Sequence, residues 1–351
     1  MQPTKIAISV GQVDKKMKKS IKTALLTILS LLSCINMTAQ GDWKREEIIA
    51  KSTSDEVSLY EDISYLTDSL CSGRATGTGG SMAAAFIISG RFKKAGLLPF
   101  SPGYGIHFTT PNGSIGHNIA GMLPGSYTMP TGKYVIVGAH YDHLGIINEK
   151  LYPGADANAS GTAVLTSLAE MFGSMKKMGK VYDSNIIFVA FDAKEMNMAG
   201  SEHIWKLIDY GILKDPVTGE SITKEKISLM VNIDQIGSTL SPIRHDRQDY
   251  LLMLGNESLP KDKRLNIEAC NMLYGTNLDL CLSYYGSKTF TDVFYKLSDQ
   301  KVFVENKIPA VFFTSGITMN TNKTRDNAES LNYEVLRKRI DLIYHWIESM
   351  L

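Results

Sequence analysis

The chain has 351 residues, of which 44% are hydrophobic and 21% are charged, and its formal net charge at pH 7 is +1. This is the composition of a globular protein with a full hydrophobic core, arranged as one large α/β domain or two small ones. A net charge so close to zero provides no basic surface field, which argues against a nucleic-acid partner.

The first 40 residues have the pattern of a secretory signal peptide. Lysines cluster in residues 15–22, an apolar run follows in residues 23–34, and Ala39 supplies a small residue for cleavage. Met17 is a more natural start than the first residue. The apolar run is too short to span a membrane, so we predict a secreted or periplasmic protein. The sequence before Cys34 also resembles a bacterial lipoprotein box, which offers the alternative of a lipid anchor on Cys34.

The cysteines give no sign of a thiolate metal site. The chain has four of them, at Cys34, Cys71, Cys270 and Cys281, and no Cys-x-x-Cys pair. Pairing of Cys270 with Cys281 in an oxidising compartment stays open, because no disulfide framework is evident.

Helical spacing of apolar residues predicts an N-terminal helix over residues 43–66. A glycine-rich turn at residues 70–80 then leads to a helix over residues 81–94. The turn lacks the Gly-Lys-Ser/Thr ending of a phosphate-binding loop, so we predict only a helix cap there. Residues 96–115 are rich in proline and glycine and are predicted to form a loop.

Strands and helices alternate through the rest of the chain. The predicted strands are residues 117–123, 133–139, 185–191, 228–233, 250–254 and 309–314, and the predicted helices include 162–178, 262–274 and 333–350. This alternation predicts a three-layer α/β/α fold, with a mostly parallel, mixed central sheet and helices on both faces. We find no linker, repeat or low-complexity tract, so residues 42–351 are predicted to form one domain.

Polar side chains follow three of the predicted strands. They are His140 and Asp142, Glu195, Asp234 and, in the loop after the first strand, Asp156. Ligands in open α/β sheets collect at the carboxyl ends of the strands, so we expect these groups at one edge. One imidazole and three carboxylates suit a divalent cation, zinc above all. Asp142 is predicted to accept the second N–H of His140 and so to orient its ring.

Four segments resemble successive motifs of the secreted co-catalytic zinc aminopeptidases, a family that also includes glutaminyl cyclases and transferrin-receptor-like ectodomains. They are GAHYDHLG (138–145), GADANASG (154–161), FVAFDAKEMNMAGS (188–201) and VNIDQIG (231–237). Flanking similarity extends the resemblance over nearly all of residues 65–335. The resemblance implies a zinc-exopeptidase-like fold, peptide substrates and removal of N-terminal residues from them.

In the family pattern two metal ions share one bridging carboxylate. The resemblance assigns Asp156 as the bridge and His140 with Asp234 as the remaining ligands of the first metal. It assigns Glu195, with a histidine near the C-terminus, to the second metal. A glutamate directly before the ligand glutamate is the general base that takes a proton from the metal-bound water.

This sequence departs from that pattern at three positions. Lys194 stands at the base position, Asn322 at the C-terminal ligand histidine, and Ala157 where the family commonly has a second Asp. A charged lysine accepts no proton and repels a dication, and an amide is a poor zinc ligand. We therefore expect Lys194 to pair with Glu195 or Asp156.

The departures also limit the number of metal ions. We expect one zinc ion, held by His140, Asp156 and Asp234, or none, rather than two. Three functions stay open on this basis. The first is aminopeptidase activity, impaired by Lys194 and Asn322. The second is a non-catalytic relative that binds a peptide, glycan or protein partner in the former active-site cleft. Glutaminyl cyclase-like acyl transfer ranks last, because those enzymes keep the second-metal ligands that are altered here.

Overall fold

The computed structural model describes residues 55–126 and 132–351, within the unit Ala50–Leu351. Several predictions lie outside the described residues. They are the signal peptide, the lipid anchor at Cys34 and the first part of the helix predicted over residues 43–66.

Eight α-helices lie in the described ranges. They are α1 (Glu56–Thr67), α2 (Gly79–Ala95), α3 (Gly161–Lys177), α4 (Ala199–Asp209), α5 (Asn266–Leu273), α6 (Lys288–Phe294), α7 (Lys301–Glu305) and α8 (Tyr333–Met350). The glycine-rich turn caps α2 as predicted, because the Thr78 side chain accepts a hydrogen bond from the Ser81 amide. Helix α2 ends at Gly96, whose φ of +83° favours glycine.

Eleven β-strands accompany these helices. They are β1 (Leu98–Pro99), β2 (Gly105–Thr109), β3 (Ile115–Leu123), β4 (Tyr134–His140), β5 (Gly145–Ile147), β6 (Lys150–Tyr152), β7 (Asn185–Phe191), β8 (Ile227–Ile233), β9 (Tyr250–Leu254), β10 (Asp279–Cys281) and β11 (Ala310–Thr314). The main sheet has the order β1-β3-β7-β4-β8-β11-β9-β10, with β2 also paired to β3, while β5 and β6 form a separate hairpin.

The centre of the main sheet is parallel and its flanks are mixed. Strands β7, β4, β8 and β11 run parallel, whereas β3 and β9 run antiparallel to their inner neighbours. Parallel central strands are buried on both faces, which is why their sequences are continuous apolar runs rather than alternating ones. The mixed central sheet of the prediction is confirmed.

Helices cover both faces of this sheet. On β7, the Phe188 ring packs against Phe92 of α2 and Phe172 of α3, with ring centroids 6.4 and 6.3 Å apart. The next residue, Val189, belongs instead to a core cluster that contains Trp205 of α4. Successive side chains of a strand point to opposite faces, so these contacts place helices on each side. The predicted three-layer α/β/α arrangement is thereby confirmed.

Most predicted elements agree with the structure, and one does not. The strands at residues 185–191 and 250–254 and the helix at 333–350 match the structure residue for residue. The loop predicted over residues 96–115 is wrong, because it contains β1 and β2. Strand β2 pairs with β3, but its five residues include only two alternating apolar ones, Ile106 and Phe108, so the strand signal is short.

Two further findings concern the cysteines and the membrane. Cys71, Cys270 and Cys281 are free thiols, so the pairing of Cys270 with Cys281 that the sequence left open is not formed. Within residues 55–126 and 132–351, no helix combines the length and apolarity that crossing a bilayer requires.

Candidate active-site cleft

Three parallel strands bring the predicted site residues to one edge of the sheet. His140 is the last residue of β4 and lies in register with Phe191, the last residue of β7. Strand β8 ends at Ile233, directly before Asp234. The carboxyl ends of these strands therefore meet, as expected for a site in an open α/β sheet.

His140 is fully buried between two carboxylates. Its Nε2 lies 3.2 Å from Oδ1 of Asp234, and its Nδ1 lies 3.5 Å from Oδ1 of Asp142 and 3.1 Å from the Asp142 carbonyl oxygen. Burial opposes protonation, but the charge of Asp234 and the contacts with the Asp142 and Asp234 carboxylates together outweigh it and raise the pKa of His140 to about 10. His140 and Asp234 therefore form a tight ion pair.

Asp142 connects this pair to the loop after β7. Its Oδ1 accepts a hydrogen bond from the Lys194 amide and its Oδ2 accepts one from the Glu195 amide, each at 3.0 Å. The carboxylate lies 3.5 Å from Nδ1 of His140, whereas the hydrogen bond of Nδ1 is with the Asp142 carbonyl oxygen. The Asp142 carboxylate also holds the backbone amides of Lys194 and Glu195 in place.

Lys194 places a positive charge among the carboxylates of the site. Its Nζ lies 3.2 Å from Oε1 of Glu195 and 3.8 Å from Oδ2 of Asp234. Burial opposes the charge on Lys194, but Asp234 and Glu195 outweigh it, so the pKa of Lys194 lies above its usual value. At neutral pH the side chain is an ammonium ion, which cannot accept a proton. The structure thus has the pairing with Glu195 that the sequence led us to expect.

Asp156 lies apart from this group. Its Oδ1 accepts hydrogen bonds from the amides of Gly237 (2.8 Å) and Ser238 (3.1 Å). Its Oδ2 accepts one from Nε2 of Gln235 at 2.7 Å. Burial and the nearby charge of Asp326 raise the pKa of Asp156 to about 7. Both oxygens of the Asp156 carboxylate are therefore hydrogen-bonded to the loop that follows β8.

A small cavity of about 150 Å³ opens at this edge of the sheet. Ala157, Lys194, Asp234 and Asn322 contribute to its lining. Asn322 is exposed, with a left-handed φ of +59°. Asp156 does not line the cavity, although it directly precedes Ala157 in the chain. The three positions at which the sequence departs from the family pattern thus surround one space.

Part of the cavity wall is apolar. It is formed by Phe294, Leu297, Phe312 and Ile317. Phe294 and Phe312 stack with their ring centroids 5.7 Å apart, which gives the wall a fixed aromatic surface. The cleft therefore combines charged side chains with an apolar wall.

The side chains of the cleft do not fit a zinc ion. In the parts of the chain that the structure describes, no three His, Cys, Asp or Glu side chains come together as a metal-binding group. A zinc site needs at least three protein ligands. His140 and Asp234 are adjacent, but Asp156, expected to join them, is bound to the loop after β8. His140, Asp156 and Asp234, the expected one-metal set, are therefore not gathered into one group in the described residues.

Several functional contacts escaped the sequence analysis because their partners are far apart in the chain. The Ser298 hydroxyl donates a hydrogen bond to Oδ2 of Asp234 at 2.7 Å. Nδ2 of Asn232 donates to Oγ of Ser298 and to Oε1 of Gln300. The sequence Ser298-Asp299-Gln300 resembles a family segment, which was the available signal. Gln235 was missed altogether, although it follows Asp234 directly.

Arg74 was also missed, although it lies in the glycine-rich turn. It is fully buried and donates hydrogen bonds to four carbonyl oxygens. These belong to Leu66 (2.6 Å), Tyr141 (2.7 Å), Pro153 (2.7 Å) and Gly154 (2.8 Å). Arg74 therefore joins the end of α1 to the chain after β4 and to the loop that leads into Asp156. The only local signal was an arginine among small residues.

This fold and edge arrangement define the class of the protein. It is an α/β protein of the zinc-exopeptidase type, with polar side chains gathered at the carboxyl ends of parallel strands. The sequence profile of Peptidase family M28 matches residues 118–347, which is more than half of the chain. The chain belongs to Peptidase family M28.

Curated relatives are distant and are matched in part. Aminopeptidase YwaD of Bacillus subtilis (strain 168) is 29% identical over 105 residues, which are 30% of this chain and 18% of YwaD. The uncharacterized protein YfbL of Escherichia coli (strain K12) is 25% identical over 236 residues, which are 61% of this chain and 66% of YfbL. The matches thus span less than two thirds of either relative.

Solved structures share the fold at low sequence identity. LapA aminopeptidase of Legionella pneumophila has a TM-score of 0.64 at 15% identity, over 86% of this chain and 73% of LapA. BSAP, a zinc aminopeptidase from Bacillus subtilis, has a TM-score of 0.61 at 14% identity, over 84% of this chain and 95% of BSAP. Porphyromonas gingivalis glutaminyl cyclase has a TM-score of 0.61 at 15% identity, over 85% of this chain and 99% of the cyclase. These likenesses establish the fold alone.

Proposed function

We propose that this chain is a non-hydrolytic member of Peptidase family M28 that binds a peptide-like ligand in its cleft. One observation carries the proposal. The Lys194 ammonium group lies 3.2 Å from Glu195 and 3.8 Å from Asp234, so a fixed positive charge neutralises carboxylates that would otherwise serve a metal ion.

Hydrolysis of a peptide bond needs a group that takes a proton from the attacking water. Lys194 stands where the family resemblance puts that base, and its raised pKa keeps it protonated. Asp234 and Glu195 are held by the ammonium group rather than left free to act. Acyl transfer of the glutaminyl cyclase type would face the same obstacle, because it also needs a proton acceptor beside the substrate.

The cleft offers surfaces for binding a peptide instead. Its apolar wall, which includes Phe294 and Ile317, suits one apolar side chain. Asn322 at the rim has an exposed amide that both donates and accepts hydrogen bonds, as a peptide backbone requires. A short peptide with an apolar residue is the ligand that these surfaces match.

We expect the purified protein to show no turnover of a panel of aminoacyl 4-nitroanilides above the buffer rate. Added zinc and added chelator should each leave the signal unchanged, because no step depends on a metal ion. The measurement is release of 4-nitroaniline over hours at high protein concentration. Turnover that zinc raises and a chelator abolishes would contradict the proposal and support the peptidase alternative.

Binding is tested separately, by isothermal titration with short peptides that carry one apolar residue. Changing Ile317 to Asp places a charge on the apolar wall and should weaken binding at least about tenfold, since burying an unpaired charge is costly. Ile147 of β5 is a matched control, because both isoleucines are about half exposed. Equal binding by I317D and I147D would show that the ligand does not use the cleft.

A further inference from the structure

A second cavity, of about 300 Å³, lies beside β9 and β10. Leu252 of β9 and Cys281 of β10 line it, together with Ile243, Tyr284 and Tyr285. The cavity shares no lining residue with the cleft. Its volume is at the lower end of the range for small-molecule sites, about 300–1,000 Å³.

Tyr284 connects the lining of this cavity with the lining of the cleft. Its ring packs against Phe294, which lines the cleft, with centroids 4.3 Å apart. Its hydroxyl accepts a hydrogen bond from the Ile317 amide at 2.9 Å. The two linings are therefore in direct contact through Tyr284.

The lining carries no charged side chain, and the hydroxyl groups of Ser241 and Ser315 and the Cys281 thiol are engaged with the protein. The Ser241 hydroxyl donates to the Ile317 carbonyl at 2.9 Å, and the Cys281 thiol donates to the Ser283 carbonyl at 2.7 Å. A charged ligand would lose its hydration without gaining a partner. The lining chemistry therefore selects an uncharged, largely apolar group.

The two tyrosines favour an aromatic occupant over an aliphatic one. Their rings lie edge to face, with centroids 4.8 Å apart and planes at 86°. Tyr284 is buried, whereas Tyr285 is 64% exposed to solvent. This geometry presents ring faces and edges to a third ring, which is the arrangement that aromatic groups prefer.

We propose that this cavity is a binding site for a compact, uncharged aromatic ring. The site does not depend on the function of the cleft, because the two linings are distinct. A free small molecule and an aromatic side chain of a peptide share this chemistry, and the experiment separates them.

Cys281 reports on occupancy of the cavity, because its thiol lies in the lining and is partly exposed. Cys71 and Cys270 are buried, and burial raises the pKa of both thiols, so they react slowly with alkylating reagents. Changing Cys34 to Ser in the full chain removes the remaining thiol. The rate of iodoacetamide addition to Cys281, followed by mass spectrometry, then measures access to the cavity.

Indole at millimolar concentration should slow alkylation of Cys281 at least about fivefold, whereas benzoate, an aromatic anion of similar size, should not. Slowing by indole alone supports a free small ring as the occupant. Slowing by N-acetyltryptophanamide as well supports a peptide side chain. Absence of protection by both indole and N-acetyltryptophanamide overturns the proposal, and equal protection by benzoate overturns the requirement for an uncharged ligand.

A cavity-filling variant gives an independent check. Changing Ile243 to Trp places a ring in the space, so alkylation of Cys281 should be slow without any ligand and indifferent to indole. Exposed Ile146 changed to Trp is the control for a tryptophan added to the surface. If I243W leaves the indole protection unchanged, the ring does not occupy this cavity.

Discussion

Changing Ala157 to Asp, Lys194 to Glu and Asn322 to His in one chain should raise the zinc that the protein retains to at least one ion per chain. All three positions line the cavity that Asp234 also lines, so the new side chains would face one another. Together with Asp234, A157D and N322H supply the three protein ligands that a zinc site needs, while K194E removes the ammonium group.

Removing the ammonium group is an essential part of this change. A dication about 4 Å from an ammonium ion is repelled by roughly 8 kcal/mol at an effective dielectric constant of about 20. Lys194 lies 3.8 Å from Asp234, so an ion bound to Asp234 would meet that repulsion. We therefore expect A157D with N322H, in the presence of Lys194, to retain little zinc.

Zinc content is measured by inductively coupled plasma mass spectrometry after dialysis against a zinc buffer. The informative control is the K194E and N322H double variant, which keeps Ala157. If the double variant retains as much zinc as the triple variant, Ala157 is not the missing ligand position. A folded triple variant without zinc would contradict the assignment of the whole cavity.

Ala157 lines the cavity and Asp156 does not, which the sequence could not predict. The strand ends were predictable, because strands β4, β7 and β8 are apolar runs and their polar ends share an edge by topology. Asp156 and Ala157 lie in an irregular turn instead, where Ala157 (φ −108°, ψ 84°) and Asn158 (φ −138°, ψ 42°) depart from helical geometry. No periodicity tells which of two adjacent residues faces the cavity in such a turn.

The contacts that fix the site were out of reach of the sequence for a related reason. Gln235 reaches Asp156 across 79 positions of the chain, and Arg74 reaches Gly154 across 80. Such distant pairs produce no recognisable spacing in the sequence, whereas the capping residue Thr78 lies only three residues before Ser81. Pairing of Lys194 with Glu195 was predictable, because the two are adjacent and their charges dictate the contact.

Changing Arg74 to Leu should lower the free energy of unfolding by at least about 3 kcal/mol, because it leaves buried carbonyl oxygens without donors. Arg74 donates to Leu66, Tyr141, Pro153 and Gly154, and all of these contacts lie inside the protein. Burial lowers the pKa of Arg74 to about 10, which still leaves the guanidinium charged at neutral pH. The four carbonyl dipoles stabilise that charge together with the nearby carboxylates of Asp326 and Asp142.

The conservative change of Arg74 to Lys should also destabilise the protein, by about 1–3 kcal/mol, because an ammonium group has three donors and lacks the planar geometry of guanidinium. The measurement is urea unfolding, with the midpoint compared at constant slope. Arg325 is the matched control, since it is exposed and donates to Asn320 and to the Met319 carbonyl. R325L should change the free energy of unfolding by no more than about 0.5 kcal/mol. Equal losses in R74L and R325L would show that the four buried carbonyls do not depend on Arg74, and the loop before Asp156 would then need another support.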